Sequence, residues 1–361
     1  FAKACGVASV ETKEPLTIDH LFRVGSTTKM MVGAAVATLS EPAGGSRLKL
    51  DEPIGRLLPD INPKLADLTA ARLLSHSAGL MDRTLMYGAH DDGALAANVR
   101  SLQADVLFTK PGATYSYSNL GYAIAGRLIE AATDKPFADA MRDLVFAPLG
   151  MKRTTFRPTM AMTYPLAQGH LENPAKELSI ARPAADHSGY WPAGSMFTSG
   201  RDFAQMAIAL LNEGRVEGAA QGLSAAVVRK IASPVSDTPE GGKYGLGLGL
   251  DRAASGVEVW SHGGARLGYS TEMMLAPSKK VGVILLANRS GASLPGVARR
   301  VLAGWAGLDL TPSKPGARAP DASVVAGTYQ HYTSVAIVDR DATGGLTLRH
   351  EGKLSKLSPA G

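Results

Sequence analysis

The sequence predicts an α+β fold: an antiparallel sheet flanked by helices, with an all-helical insertion, followed by the start of a small C-terminal β domain. Two observations carry this. Through the first two thirds of the chain, apolar residues recur every three to four positions, as on one face of a helix. From Tyr244 the pattern changes to period two with β-branched runs, as on half-buried strands. The composition allows a large core: 361 residues, 45% hydrophobic and 19% charged. That suits one large domain or two smaller ones and is too apolar for disorder.

The elements follow in chain order. Val24 to Leu39 reads as a helix, with Met30, Ala34 and Ala37, or Met31, Ala35 and Leu39, at helical spacing, ended by Pro42 and the Gly44–Gly45 pair. "RLKLDEPIGRLLPD" reads as a strand or turn and then a short helix broken at Pro59. "LTAARLLSHSAGL" reads as a helix from an N-cap at Thr69 to Gly79. Leu120, Ile124 and Leu128 mark a further helix after the turn-rich "PGATYSYSN", and "FADAMRDLVFAPLGM" another, stopped at Pro148. In "TSGRDFAQMAIALLNEG", Ser199 and Asp202 have capping-box spacing, Phe203, Met206, Ala207 and Leu210 form the face, and Gly214 closes it. "YGLGLGLDR", "VEVWSHGG", "STEMMLAPS" and "VGVILLAN" read as consecutive strands, and "PGVARRVLAGWAG" returns to helix. A Pro/Gly/Ala linker spans 310–322. Three more strands follow, in "VAGTYQHY", "VAIVDRD" and "GLTLRHEG". The expected domains are therefore 1–309, with a mostly helical region over 61–214, and a β-rich unit over 323–361.

Charge and cysteine usage narrow the function classes. The net charge is +6, but the basic residues are scattered, and the densest basic stretch, Arg266 to Lys280, reads as solvated surface. No nucleic-acid partner is expected. The single cysteine, Cys5, allows no internal disulfide, and no Cys/His cluster suggests zinc, so no cofactor or metal is expected. No apolar run reaches the ~20 residues of a membrane helix. G-x-S-x-G, H-E-x-x-H and the P-loop are absent. "GLGLG" at Gly245 to Gly249 lies inside a strand pattern with the wrong spacing for a dinucleotide loop.

Three short stretches carry candidate chemistry. Ser26 and Lys29 sit at i and i+3, so on a helix the amine reaches the hydroxyl and can take its proton. A lysine titrating near 10.4 does this only if burial or positive neighbours lower that value. The alternative is Ser26 as an N-cap with Lys29 in solvent. A second S-x-x-K, Ser46 to Lys49, has no helix to align it. Tyr117 and Asn119 offer a phenol for proton relay and an amide for a polar substrate group. Alternatively, Tyr117 packs and Asn119 caps the helix from Leu120. His262, Gly263 and Gly264 end a strand where paired glycines let a ligand lie along the backbone. Alternatively, they form a glycine hairpin with an exposed histidine.

In this order, Ser-x-x-Lys, Tyr-x-Asn and His-x-Gly resemble the serine β-lactamase and DD-peptidase superfamily, in its class C, D-aminopeptidase and family VIII esterase branch. The likeness extends through "LFRVGSTTK", "LTAARLLSHSAGL", "PGATYSYSNLGYAIAGRLIE", "PAGSMFTSGRDFAQM" and "VGVILLAN", from about Phe1 to Leu308. It implies an acyl-serine hydrolase of an ester, peptide or amide. The other members it allows are a true class C-type β-lactamase or DD-carboxypeptidase, or a non-catalytic binding member of the fold. Ser26 would be the nucleophile, Lys29 and Tyr117 would share proton transfer, and Asn119 would touch the substrate. The backbone N–H groups of Ser26 and Ala265 would form the oxyanion hole. His262 stands where β-lactamases carry lysine. A mostly neutral histidine binds a carboxylate less well, so efficient β-lactamase activity is not expected. A triad using His76 or His262 is the competing mechanism. The resemblance favours an extracytoplasmic setting, and it implies that N-terminal strands of the sheet are missing, leaving an edge exposed. The loops Thr84 to Gly93 and Asn173 to Gly194 are expected to set specificity. Oligomeric state is open.

Overall fold

A computed structural model describes residues 1–42, 45, 47–219, 221–312, 327–331, 334–350 and 353–357. The chain divides into two units, Phe1–Thr311 and Pro312–Gly361.

The first unit begins with a short strand β1 (Leu21–Arg23). A 3-10 turn (Gly25–Thr27) then leads straight into helix α1 (Thr28–Leu39). The helix expected from Val24 starts later because Gly25 has φ +55°, outside the right-handed helical region. Every α1 residue except Thr38 is buried, as expected of a helix that is apolar and small all round. Helices α2 (Ala70–Leu74), α3 (Ala94–Arg100), α4 (Asn119–Thr133), α5 (Phe137–Met141) and α6 (Pro158–Ala161) follow. A π turn (Arg142–Phe146) extends α5.

Two expectations about these helices need correction. Thr69 does cap α2, with its hydroxyl accepting from Arg72 N, but the helix stops at Leu74 rather than running to Gly79. His76 takes φ +58°, which no helix accommodates. The cap of α4 is Ser118, whose Oγ accepts from Gly121 N at 3.2 Å, and Asn119 is the first helical residue. The mostly helical region 61–214 also carries strands. It holds a hairpin, β2 (His170–Glu172) with β3 (Leu178–Ile180), and after the short α7 (Trp191–Gly194) a strand β4 (Phe197–Ser199) paired antiparallel to β1.

Ser199 caps α8 (Gly200–Leu211) as expected, with Asp202 N donating to its Oγ at 3.1 Å. Asp202 does not complete a capping box. Its carboxylate is taken by Arg153 N at 2.7 Å and the Thr154 hydroxyl at 3.0 Å.

Helix α9 (Ala225–Ile231) precedes the main sheet. The strands are β5 (Ser236–Asp237), β6 (Lys243–Tyr244), β7 (Gly249–Arg252), β8 (Glu258–Arg266), β9 (Tyr269–Ala276) and β10 (Val281–Ala287). They run antiparallel in the order β10-β9-β8-β7-β6-β5. Helix α10 (Pro295–Ala306) closes the unit. One face of the sheet, including Met273 and Leu275, joins the core with α1, α4 and α8. The other face, with Val259, Met274 and Ala276, packs on Ala298 and Leu302 of α10. This places β8 in the middle of the sheet, against the start of α1.

The second unit is an antiparallel meander of four strands, β11 (Gly327–His331), β12 (Ser334–Arg340), β13 (Leu346–His350) and β14 (Lys353–Leu357). The fourth strand was not expected: "KLSKL" alternates too weakly to read as one. The expected linker lies outside the described residues from 313 on, as does Ser46 of the second S-x-x-K. Among the described residues no helix is long and apolar enough to cross a membrane.

Candidate active site

The turn that holds Ser26 is pressed between two backbones. A Cβ on Gly25 would lie 2.5 Å from Ala265 N, and one on Gly194 would lie 3.5 Å from Ser26 N. Ser26 is half-buried, and its N–H belongs to a first turn, where backbone donors lack intrahelical acceptors. One turn on, Lys29 is fully buried. Its cover is the glycine turn between β6 and β7: a Cβ on Gly247 would meet Lys29 O at 2.4 Å, and one on Gly33 would meet Leu246 O at 1.9 Å. The "GLGLG" run thus allows close backbone packing on α1.

Lys29 Nζ lies 3.1 Å from Ser26 Oγ, 2.7 Å from Asn119 Oδ1 and 2.6 Å from Ala193 O. It also sits over the rings of Tyr117 and Tyr122, at 4.8 and 5.1 Å. Burial lowers its pKa from 10.5 to about 7; Arg266 pushes the same way and Asp82 opposes. Two of the three contacts, Asn119 Oδ1 and Ala193 O, can only accept. A neutral amine gives them its two hydrogens and turns its lone pair to the Ser26 hydroxyl. The alternatives of a capping Ser26 and a solvated Lys29 are therefore both replaced.

Tyr117 is held by a residue whose part the sequence did not disclose. The His76 ring stacks on the Tyr117 ring at 4.2 Å, and its Nδ1 accepts from Ser118 N at 3.0 Å. Burial, with Lys29 nearby, keeps His76 well below its ordinary pKa, so the imidazole is neutral. Burial likewise pushes the Tyr117 phenol well above its ordinary value, with the Ser26 side chain opposing by hydrogen bonding. Asn119 is anchored by Asp82, which accepts from Asn119 N at 2.9 Å and from Nδ2 at 3.3 Å. Thr84 Oγ1 takes Nδ2 at 2.8 Å. The amide of Asn119 is therefore spent on Lys29, Asp82 and Thr84.

On β8, His262 is buried rather than exposed. Its Nδ1 lies 2.6 Å from Gly263 O, an obligate acceptor, so Nδ1 carries the proton and Nε2 accepts from the Tyr244 hydroxyl at 2.7 Å. Burial, then Lys29, lowers its pKa to about 4. Both ring nitrogens are occupied within the protein, which corrects the expectation of direct substrate contact. A triad is also corrected: His76 Nδ1 accepts from Ser118 N, so its proton sits on Nε2, His262 is engaged at both nitrogens, and among the described residues neither histidine has a carboxylate partner.

Gly264 serves packing rather than ligand approach. A Cβ there would lie 2.0 Å from Val24 O and 2.2 Å from Thr271 Oγ1. Thr271 and Thr27 both donate to that same Val24 carbonyl, at 2.7 and 2.8 Å. Gly264→Ala is expected to cost about 1–3 kcal/mol or more in thermal or urea unfolding, because both facing atoms are fixed. Gly263 is exposed and Ala265 is exposed beside it.

The two loops expected to set specificity meet each other at the site. Thr84 touches Asn119, and Ala193 O touches Lys29. Between them, Ser188 Oγ donates to Ala89 O and Asp91 O, His90 pairs with Asp186 at 2.8 Å, and Tyr87 donates to Pro183 O at 3.4 Å. A separate cavity of about 800 Å³, lined by Phe146, Met151, Arg157 and Tyr164 among others, touches none of these site residues.

Known proteins share this fold. The chain is 30% identical over 310 residues to the unguisins hydrolase ungD′ of Aspergillus campestris, covering 81% of this chain and 57% of that protein's length. It is 30% identical over 352 residues to penicillin-binding protein 4 of Amycolatopsis lactamdurans, covering 91% of this chain and 89% of the relative. The crystal structure of SurE superposes with a TM-score of 0.79 at 29% identity, covering 99% of this chain and 81% of that one. The Beta-lactamase family model matches residues 1–304, which bears out the resemblance, and the chain belongs to that family.

Proposed function

We propose that the chain is a serine hydrolase that cleaves an ester, peptide or amide through an acyl-Ser26 intermediate, with Lys29 as the base. The observation that carries this is the buried Nζ 3.1 Å from Ser26 Oγ, lowered to about 7 and tied otherwise only to obligate acceptors. Ser26 gives its proton to Lys29 as Oγ attacks the carbonyl. The N–H groups of Ser26 and Ala265 receive the oxyanion. The Lys29 ammonium then protonates the leaving group, directly or through the Tyr117 hydroxyl, which takes the Lys29 proton as it gives up its own, and water repeats the cycle. Tyr117 is the poorer base because its phenolate is out of reach near neutral pH. It serves as a neutral hydrogen-bond donor. Asn119 holds Lys29 in place rather than gripping substrate.

The name of the unguisins hydrolase supports hydrolysis, and that of the Amycolatopsis relative supports acylation by penicillins as a second reading. The neutral, engaged His262 weighs against efficient β-lactam turnover. Assay of the full chain on p-nitrophenyl esters, D-alanyl amides and nitrocefin tests this. Ester or amide turnover with little nitrocefin hydrolysis is expected; inertness toward all three would sink the proposal in favour of a non-catalytic binding member of the fold.

Activity requires neutral Lys29, so kcat/KM is expected to fall as pH drops below about 7. His262, at about 4, adds nothing above pH 5. Asp82 raises the lysine's pKa, so Asp82→Asn is expected to move the acid limb to lower pH. The looser Asn119 costs about tenfold in the plateau. A limb that stays in place would separate Asp82 from Lys29.

A further inference from the structure

We infer that the cavity apart from the Ser26 site is a second ligand site, and that its ligand is an amphipathic organic anion: a carboxylate or sulfonate carried on an apolar body.

The cavity measures about 800 Å³, the size of a site for a small organic molecule rather than for a single ion. It opens between the end of α5 with its π turn, the segment 147–155, α6 and Tyr164. Phe146 and Met151 are buried and close it on the inside. Tyr164 is half-buried and Met160 half-exposed, so both have apolar surface left for an occupant to cover. The flexible thioether of Met160 adapts to the shape of what it covers. None of Ser26, Lys29, Tyr117 and Asn119 lines this space, so the acyl-serine reaction does not account for it.

The lining charge selects an anion. Arg142, Lys152, Arg153 and Arg157 share the lining with one carboxylate, Asp139. Asp139 already accepts from Arg142 at 3.0 Å and from Arg157 at 3.1 Å, which leaves little to hold a cationic ligand. Arg157 is held further by Asp92 in a bidentate pair at 2.8 and 3.1 Å, and Arg142 by Asp143 at 2.9 Å. Those two cations are matched. Arg153 and Lys152 are not. Arg153 reaches toward Asp19, but that carboxylate lies 3.9 Å away and already pairs with Arg201 at 3.0 Å. Its other contact there is a long donation to Asp19 O at 3.4 Å. Lys152 is exposed, with no ion pair among the described residues. The Arg153 guanidinium lies over the Tyr164 ring, 5.7 Å from its centre. Charge and apolar surface thus stand side by side. An acid group bound by Arg153, with Lys152 next to it in the chain, leaves the body of the same molecule against Tyr164 and Met160. A guanidinium over a ring keeps its Nη hydrogens for a bidentate pair with that acid group.

A matched pair of dyes tests this on the full chain: 1-anilinonaphthalene-8-sulfonate and N-phenyl-1-naphthylamine, the same body without the sulfonate. Fluorescence titration should show a saturable site that binds the sulfonate at least about tenfold more tightly than the neutral amine, the worth of one charge-assisted hydrogen bond. Replacing both unmatched cations, Lys152→Gln with Arg153→Gln, should remove that preference and leave binding of the neutral amine unchanged. Ala147→Trp adds bulk from an exposed position in the lining, so it should fill the space and weaken both dyes. Both variants should keep the native Tm without dye, so that lost binding is not lost fold. A native chain with no saturable site for the sulfonate overturns the proposal. So does a preference that survives the double substitution, or sulfonate affinity that Ala147→Trp leaves intact.

Discussion

Ser26→Ala is expected to reduce ester turnover by at least about 10⁴-fold, to the background left by the oxyanion donors and binding alone. The substitution removes one half-buried oxygen and disturbs no packing, since the walls around the turn are the backbones of Gly25, Ala265 and Gly194. Unfolding temperature should therefore stay near that of the native chain. Full loss of turnover with an unchanged fold is what separates a nucleophile from a structural serine.

Lys29→Met is expected to give the second-largest effect, and to move activity and stability in opposite directions. Loss of the base should lower kcat/KM by about 10²–10⁴-fold. Stability runs the other way. A lysine lowered from 10.5 to about 7 by folding destabilises the native state, fully so below pH 7. That penalty fades as pH rises from 7 to 10.5 and is absent above. Linkage puts it at about 5 kcal/mol at most. Removing the amine relieves it, less the cost of leaving Asn119 Oδ1 and Ala193 O without their donor. The variant should thus be more stable than the native chain at pH 6, and the difference should shrink toward pH 10. A variant that is inactive because it misfolds cannot show this.

Much of the site was legible in the sequence because its parts are local. Ser26 and Lys29 sit one helical turn apart, and "PGATYSYSN" announced a turn before a helix. What escaped was tertiary. Asp82 reaches Asn119 from 37 residues away, and no period or spacing marks it. His76 sits in a left-handed conformation that a run of helix-forming residues hides, yet from there it stacks on Tyr117. His262 and Gly264 were read as a place for ligand because paired glycines at a strand end permit it. Only the approach of Val24 O shows that Gly264 is needed for packing. The fold class was plainer than its edges. The switch from helical to alternating pattern located the sheet, while the starts of α1 and α4 moved because Gly25 and Ser118, not the residues after them, govern the backbone there.

Acylation of Ser26 with Lys29 as its base is open to direct measurement. The most direct measurement is the rate of labelling by a fluorophosphonate probe across pH 5 to 10, with the adduct located by mass spectrometry. An adduct on Ser26 is expected, formed at a rate that rises through a midpoint near 7 and lost in both Ser26→Ala and Lys29→Met. An adduct on another residue, or labelling of Ser26 that persists undiminished in Lys29→Met, would contradict it.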